Sequence, residues 1–256
     1  MTILEGIGLG ALQGLTEFLP VSSSGHLVLA RALFRIEGAP VAMEVFLHAG
    51  SLVAILAFFR REILSLLTVR RHLVPALIVG TLPAAVLGLG LKGRIEWLFE
   101  NPVGVGIGLL LSGTVLWVGE RLATNHRPLD AVGVEIGFWV GIAQAIGLAP
   151  GVSRSGMTVS AGLASGLERG AAVAFAFLLG AIAIAGATVL KLREIADLGQ
   201  VSLAPMLAGF AASVLTSLGS LAALSFIVQR KCLSVFAIYC YCVGAAVLLA
   251  KLTGVW

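Results

Sequence analysis

Six apolar stretches recur along the chain, at residues 41–59, 73–91, 103–119, 171–190, 203–228 and 233–250. Each is about 17–26 residues long, enough to cross a hydrocarbon core of roughly 30 Å as a helix. In lipid the backbone must satisfy its own polar groups, which leaves only helices or a closed barrel. The short alternating strands of a barrel are absent. Only 12% of residues are charged and the mean hydropathy is +1.04, which excludes a soluble domain of this size. The expected fold is an all-α polytopic membrane protein with six transmembrane helices.

The formal charge of +4 does not point to nucleic acid. The basic residues sit between the spans, where topology and anionic headgroups account for them. Cys232, Cys240 and Cys242 fall in or beside the last span and match no zinc spacing, so they read as packing residues. A cleavable signal peptide is not expected, because Glu5 stands where a basic run would be.

The chain also repeats itself. GALQGLTEFLPVSSSGHL (10–27) aligns with GIAQAIGLAPGVSRSGMT (141–158) at a constant offset of 131. Gly10 falls on Gly141, Gln13 on Gln144, Ser22 on Ser153, Ser24 on Ser155 and Gly25 on Gly156. Around both copies the apolar pieces are short, broken by Pro20 or Pro150-Gly151 and then by a serine-rich turn. Such pieces read as re-entrant helix hairpins that enter and leave on one side. Three spans separate the hairpins, and an odd number of crossings brings the second in from the opposite face. The expectation is a single membrane domain of two inverted repeats, about 1–128 and 129–256, with a site near the midplane where they meet. Arg60, Arg61, Arg70 and Arg71 cluster after the first span, and Arg230-Lys231 follow the fifth. Placing these loops in the cytoplasm turns both termini and the first hairpin outward.

The copies differ where chemistry is at stake. Glu17 faces Leu148, Ser23 faces Arg154 and His26 faces Met157. A carboxylate at membrane depth costs roughly 2.5–3.5 kcal/mol and needs a partner or a purpose. Arg154 carries the same cost, and its planar fork suits a phosphate, although it could instead pair with Glu17. Ser22, Ser23 and Ser24 could cap the following helix or bind an anion at its N-terminus, and Ser153 and Ser155 repeat the arrangement. His26 could orient or deprotonate a serine, protonate a leaving oxygen, or attack phosphorus itself. His48 could line the cavity or bond across helices. Gln13 and Gln144 could bind phosphate oxygens or pin the hairpins. A carboxylate, hydroxyls, an imidazole and a guanidinium in a membrane cavity together suit a phosphate attached to a lipid.

At these residues the sequence resembles the bacterial undecaprenyl-diphosphatase family, also known from bacitracin resistance. Gln13 through His26 match its first motif, [E/Q]-x-x-x-E-F-L-P-V-S-S-[ST]-G-H, and Pro150 through Thr158 match its second, P-G-x-S-R-S-G-x-T. LHAGS at 47–51 also looks like a family element. The resemblance implies hydrolysis of undecaprenyl diphosphate to undecaprenyl phosphate and inorganic phosphate, recycling the carrier of cell-wall synthesis. It implies an inner-membrane location and a site open to the outer face. It also implies a divalent cation, Mg²⁺ or Ca²⁺. Family roles fall on Glu17 (metal or acid/base), Ser23 (nucleophile or phosphate ligand), His26 (acid/base) and Arg154 (phosphate clamp). Thr158 joins Gln13, Ser22, Ser24, His48, Gln144, Ser153 and Ser155 in the expected substrate-binding set. Gln13 stands where many members carry a second glutamate, which leaves one carboxylate for the metal. The sequence leaves open a homodimer and the identity of the attacking atom.

Two other readings compete. Type-2 phosphatidic acid phosphatases need a Lys seven residues before an Arg-Pro pair, and Glu120 holds that position before Arg127-Pro128. Inverted repeats are also a transporter architecture, so a polyprenyl-phosphate flippase or an ion-coupled carrier is the alternative.

Overall fold

The structure is a computed structural model and describes residues 1–34, 36, 41–90, 102–192, 202–230 and 233–253. Residue 91, at the end of the second expected span, lies outside the described residues, as do Lys231 and Cys232. The helices are α1 (Ile3–Phe18), α2 (Ser23–Leu33), α3 (Val41–Phe58), α4 (Arg60–Ser65), α5 (Val74–Gly90) and α6 (Pro102–Leu122). They continue with α7 (Val134–Ile146), α8 (Arg154–Ala164), α9 (Arg169–Leu192), α10 (Leu203–Gln229) and α11 (Leu233–Leu252). Among the described residues the β-structure amounts to one isolated bridge, Arg127 to Leu167.

Five described helical segments are long and apolar enough to cross a membrane: Arg71–Gly90, Pro102–Leu122, Arg169–Lys191, Leu203–Gln229 and Leu233–Leu252. Ala42–Phe58 and Val134–Ile146 are apolar but shorter. The first expected span therefore exists as a helix just under the length that alone would mark a crossing. The chain is an all-α, multi-pass membrane protein.

The offset of 131 reappears in the helix boundaries. Helix α8 starts and ends 131 residues after α2, and α11 starts 131 residues after α6. Helices α1 and α7 both pack by glycine. A methyl group on Gly6 or Gly10 would strike the carbonyls of Pro205 or Gly209 on α10. Gly137 and Gly141, 131 residues later, meet Ala76 and Gly80 of α5 in the same way. Close backbone approach through small residues is the usual route to helix association in lipid, where the hydrophobic effect gives little. Buried hydroxyls add to it: Ser213 Oγ donates to Leu47 O at 2.8 Å, and Ser220 Oγ donates to Gly14 O at 2.6 Å.

Helix α9 runs through the core, with Phe175, Phe177, Leu178 and Leu179 buried. Phe18, at the end of α1, meets Phe177 edge-on with ring centroids 5.5 Å apart. Polar links mark the two ends of α9. Near its start, Arg169 pairs with Glu120 of α6 at 2.5 Å and donates to Val228 O of α10 at 3.3 Å. Glu120 also accepts from Leu233 N–H of α11 at 3.1 Å, so four helices are tied at that end. Near its finish, Lys191 pairs with Glu44, which also pairs with Arg31 in the last turn of α2. The α1–α2 hairpin therefore opens where α9 finishes. The α7–α8 hairpin opens where α9 begins, since α8 leads into α9 through a four-residue connection, 165–168.

Candidate active site

Both hairpins break for local reasons. Helix α1 ends at Leu19, which is extended, as expected of a residue before proline. Helix α2 then starts from Ser22, whose Oγ accepts from Gly25 N–H at 3.3 Å. Ser22 has φ 69°, a left-handed conformation that a non-glycine residue holds only when its surroundings enforce it. In the second hairpin Ser153 caps α8 in the same role, accepting from Gly156 N–H at 3.1 Å. Ser112 of α6 fixes that turn, accepting from Ser153 N–H at 2.8 Å and donating to Gly151 O at 3.2 Å.

The two breaks meet. Ser155 Oγ donates to Leu19 O at 3.3 Å, from one hairpin tip to the other. At this junction Glu17 is 7% exposed and takes hydrogen bonds from three expected site residues. Gln13 Nε2 donates to its Oε2 at 3.0 Å, and Ser23 Oγ donates to the same oxygen at 2.5 Å. Arg154 Nη2 donates to Oε1 and forms the ion pair. The cavity here is lined by Glu17, Arg154, Ser155 and Thr158, with Phe18 and Ile55 among its apolar walls. Thr158 Oγ1 donates to Arg154 O at 2.9 Å, back along its own helix.

Other expected residues lie further from the carboxylate. The His26 ring makes no hydrogen bond to Ser23 or Glu17 among the described residues. Its Nδ1 lies 2.8 Å from Ser22 O and its Nε2 lies 2.8 Å from Tyr239 Oη. A carbonyl only accepts, so Nδ1 carries the proton; in the neutral ring Nε2 then accepts from the tyrosine hydroxyl. The two rings are also stacked, with centroids 5.7 Å apart. Tyr239 was not foreseen from sequence. Ser24 Oγ lies 3.4 Å from Ser22 Oγ, and Ser153 Oγ lies 3.2 Å from Ser155 Oγ, so each turn holds a hydroxyl pair. His48 Nδ1 donates to Glu44 O at 2.8 Å, one turn back along α3. Gln144 is fully buried, and neither amide atom has a partner. Its repeat counterpart Gln13 bonds a carboxylate, and the matching place in the second hairpin is Leu148.

The donors available to a metal are few. Among the described residues, no group of three or more His, Cys, Asp or Glu side chains gathers around one point. Glu17 supplies a carboxylate, and beside it Gln13 Oε1 is buried without a partner. A hard divalent cation bound through one carboxylate, a neutral oxygen and the phosphates of a substrate fits this set. A cage made by protein alone does not.

A family model described as "Bacitracin resistance protein BacA" matches residues 6–246. A protein named undecaprenyl-diphosphatase from Carboxydothermus hydrogenoformans is 36% identical over 99% of this chain and 99% of its own length. One of the same name from Moorella thermoacetica is 41% identical over 85% of this chain and 84% of its own length. Another, from Methanobrevibacter smithii, is 33% identical over 99% of both.

Proposed function

The chain belongs to the bacitracin resistance protein BacA family, and from that premise we propose that it hydrolyses undecaprenyl diphosphate to undecaprenyl phosphate and inorganic phosphate. The observation that carries the reading is the convergence of Ser23 and Arg154, from opposite hairpins, on one buried carboxylate. A hydroxyl held against a carboxylate is a nucleophile with its base already in reach. A guanidinium at the same point supplies the charge a terminal phosphate requires.

The diphosphate competes with Glu17 for Arg154, whose planar fork takes the oxygens of the terminal phosphate. Glu17 receives the Ser23 proton as Oγ attacks the terminal phosphorus. The anhydride P–O bond breaks, and undecaprenyl phosphate leaves with the bridging oxygen. Water then cleaves the phosphoserine, giving inorganic phosphate and restoring the hydroxyl. His26, oriented by Ser22 and Tyr239, is placed to hand a proton to a departing oxygen. Ser22 and Ser153 cap the two hairpin helices, and with Ser24, Ser155, Thr158 and Gln144 they offer donors to phosphate oxygens. Gln13 pins Glu17. A divalent cation, Mg²⁺ or Ca²⁺, would be held by Glu17 and Gln13 Oε1 together with the phosphates, and when bound it would neutralise their charge.

The chain forms a single membrane domain of two inverted repeats, about 1–128 and 129–256. The matched helix boundaries and the opposite openings of the hairpins support this. With the Arg70–Asp130 end in the cytoplasm, the α1–α2 hairpin opens to the outer face of the bacterial inner membrane. The lipid substrate lies in the bilayer, nucleic acid has no part, and a homodimer is compatible with the extensive apolar surface. A carrier role is not favoured, because the relatives are named for phosphatase activity. Phosphate release by the purified chain in detergent micelles, where no gradient exists, separates the two: an enzyme turns over there and a carrier does not.

A further inference from the structure

A second group of charges is left unused by this chemistry. Glu44, in the first turn of α3, takes two cations from two other helices. Its Oε1 lies 3.1 Å from Arg31 Nη1 on α2, and its Oε2 lies 3.0 Å from Lys191 Nζ on α9. The three side chains are 37%, 32% and 38% exposed for Arg31, Glu44 and Lys191, so none of them is sealed inside the protein. One carboxylate against two cations leaves a formal charge of +1. The other two guanidinium nitrogens of Arg31 have no hydrogen-bond partner among the described residues.

The group has a definite place relative to the first site. At a rise of about 1.5 Å per residue, Arg31 is about 12 Å along α2 from Ser23. Glu44 is about 16 Å along α3 from Ile55, and Lys191 about 10 Å along α9 from Ile184, two residues lining the cavity beside Glu17. All three displacements lead to the open end of the α1–α2 hairpin. His48 lies between, one turn inward from Glu44, where its Nδ1 donates to Glu44 O. In a chain this apolar, Glu17, His48 and the Glu44 cluster form a polar track from the buried site to the hairpin mouth.

We propose that Arg31 and Lys191 form a second oxyanion-binding site at this mouth, with Glu44 occupying the two cations until a phosphate group replaces it. The inference rests on the phosphatase reading. A hydrophilic phosphate must cross the gap between water and the Glu17–Arg154 site while the prenyl chain stays in lipid. Two cations loosely held by a carboxylate give it a stop along the way. Glu44 is a competitor for those cations, not a ligand of the anion.

Inorganic pyrophosphate titrated into the detergent-solubilised full chain carrying Ser23→Ala, which lacks the attacking hydroxyl, reads binding without turnover. Lys191→Gln and Arg31→Gln each weaken it by about tenfold, the scale of one lost charge-assisted hydrogen bond. Glu44→Gln strengthens it by a similar factor, because the competitor is gone. The opposite signs separate this site from a structural clasp, in which all three changes lower the melting temperature and leave affinity alone or weaken it alike. That second pattern overturns the inference. Steady-state kinetics then identify the source of the phosphate. A higher KM for lipid diphosphate in the two cation variants marks capture of the substrate head, while weaker inhibition by inorganic phosphate marks the path of the product. Wild-type values for both overturn the inference. Absence of turnover in the wild-type chain would count against the phosphatase reading instead, and the pyrophosphate titration would still decide this one.

Discussion

Ser23 Oγ donates to Glu17 Oε2 across 2.5 Å, joining the first residue of α2 to the last turn of α1 over the break at Pro20. The serine beside it on each side is differently engaged. Ser22 caps α2, and Ser24 faces Ser22 at 3.4 Å.

This difference sorts the three serines. Ser23→Ala lowers turnover by at least about 1,000-fold, on the scale seen when a hydrolase loses its nucleophile. Ser22→Ala and Ser24→Ala cost less, as losses of a cap and of a phosphate donor. Rapid quench of the wild-type reaction traps a phosphoserine at Ser23. An acid-labile phosphohistidine would move the attack to His26, and equal modest losses at all three serines would leave water as the nucleophile.

Arg154→Lys keeps the charge and loses the fork. Its specific activity falls by about 100-fold while its melting temperature stays within a few degrees of wild type, an expectation scaled on charge-assisted bonds of about 1.5–3 kcal/mol each. A variant that melts early but retains turnover per folded molecule would make Arg154 a structural partner of Glu17 and nothing more.

Tyr239 is a positioning residue for His26. Tyr239→Phe removes the 2.8 Å hydrogen bond and keeps the stacked ring, so kcat drops by about tenfold with KM unchanged. His26→Ala costs more, and the double variant is no worse than His26→Ala alone, because the tyrosine acts only through the imidazole. Additive losses would give Tyr239 an independent role.

Sidedness is open to cysteine labelling in a background lacking Cys232, Cys240 and Cys242. Arg70→Cys reacts only with reagent supplied from the cytoplasmic face, and Thr253→Cys, at the far end of α11, only from outside. Labelling of both from one face contradicts the inverted arrangement.

Much of this fold was legible because its breaks are chemical. Pro20 and Pro150-Gly151 stop helices, serines restart them, and the constant offset shows that the same device is used twice. The meeting of Glu17 with Arg154 was open to the sequence only as the alternative to a phosphate clamp, on the ground that a charge at membrane depth needs a partner. The setting of His26 was not. Its partner Tyr239 is 213 residues away, and the residue matching Tyr239 in the other repeat is Gly108, so neither proximity nor symmetry pointed to it. The grouping of Arg31, Glu44 and Lys191 was equally hidden. Each looks like an ordinary end-of-helix charge, and only the packing of α2, α3 and α9 brings them together.

The most direct test of the central claim compares wild-type protein with Glu17→Gln, both purified in detergent micelles, by the inorganic phosphate each releases from undecaprenyl diphosphate. The substitution keeps the shape of the side chain and removes its charge, and with it the base proposed for Ser23. The wild-type chain is predicted to release one phosphate per lipid diphosphate without any gradient, and Glu17→Gln to do so at least about 100-fold more slowly at the same folded fraction. Equal rates in the two proteins, or no release by the wild type, would contradict the account.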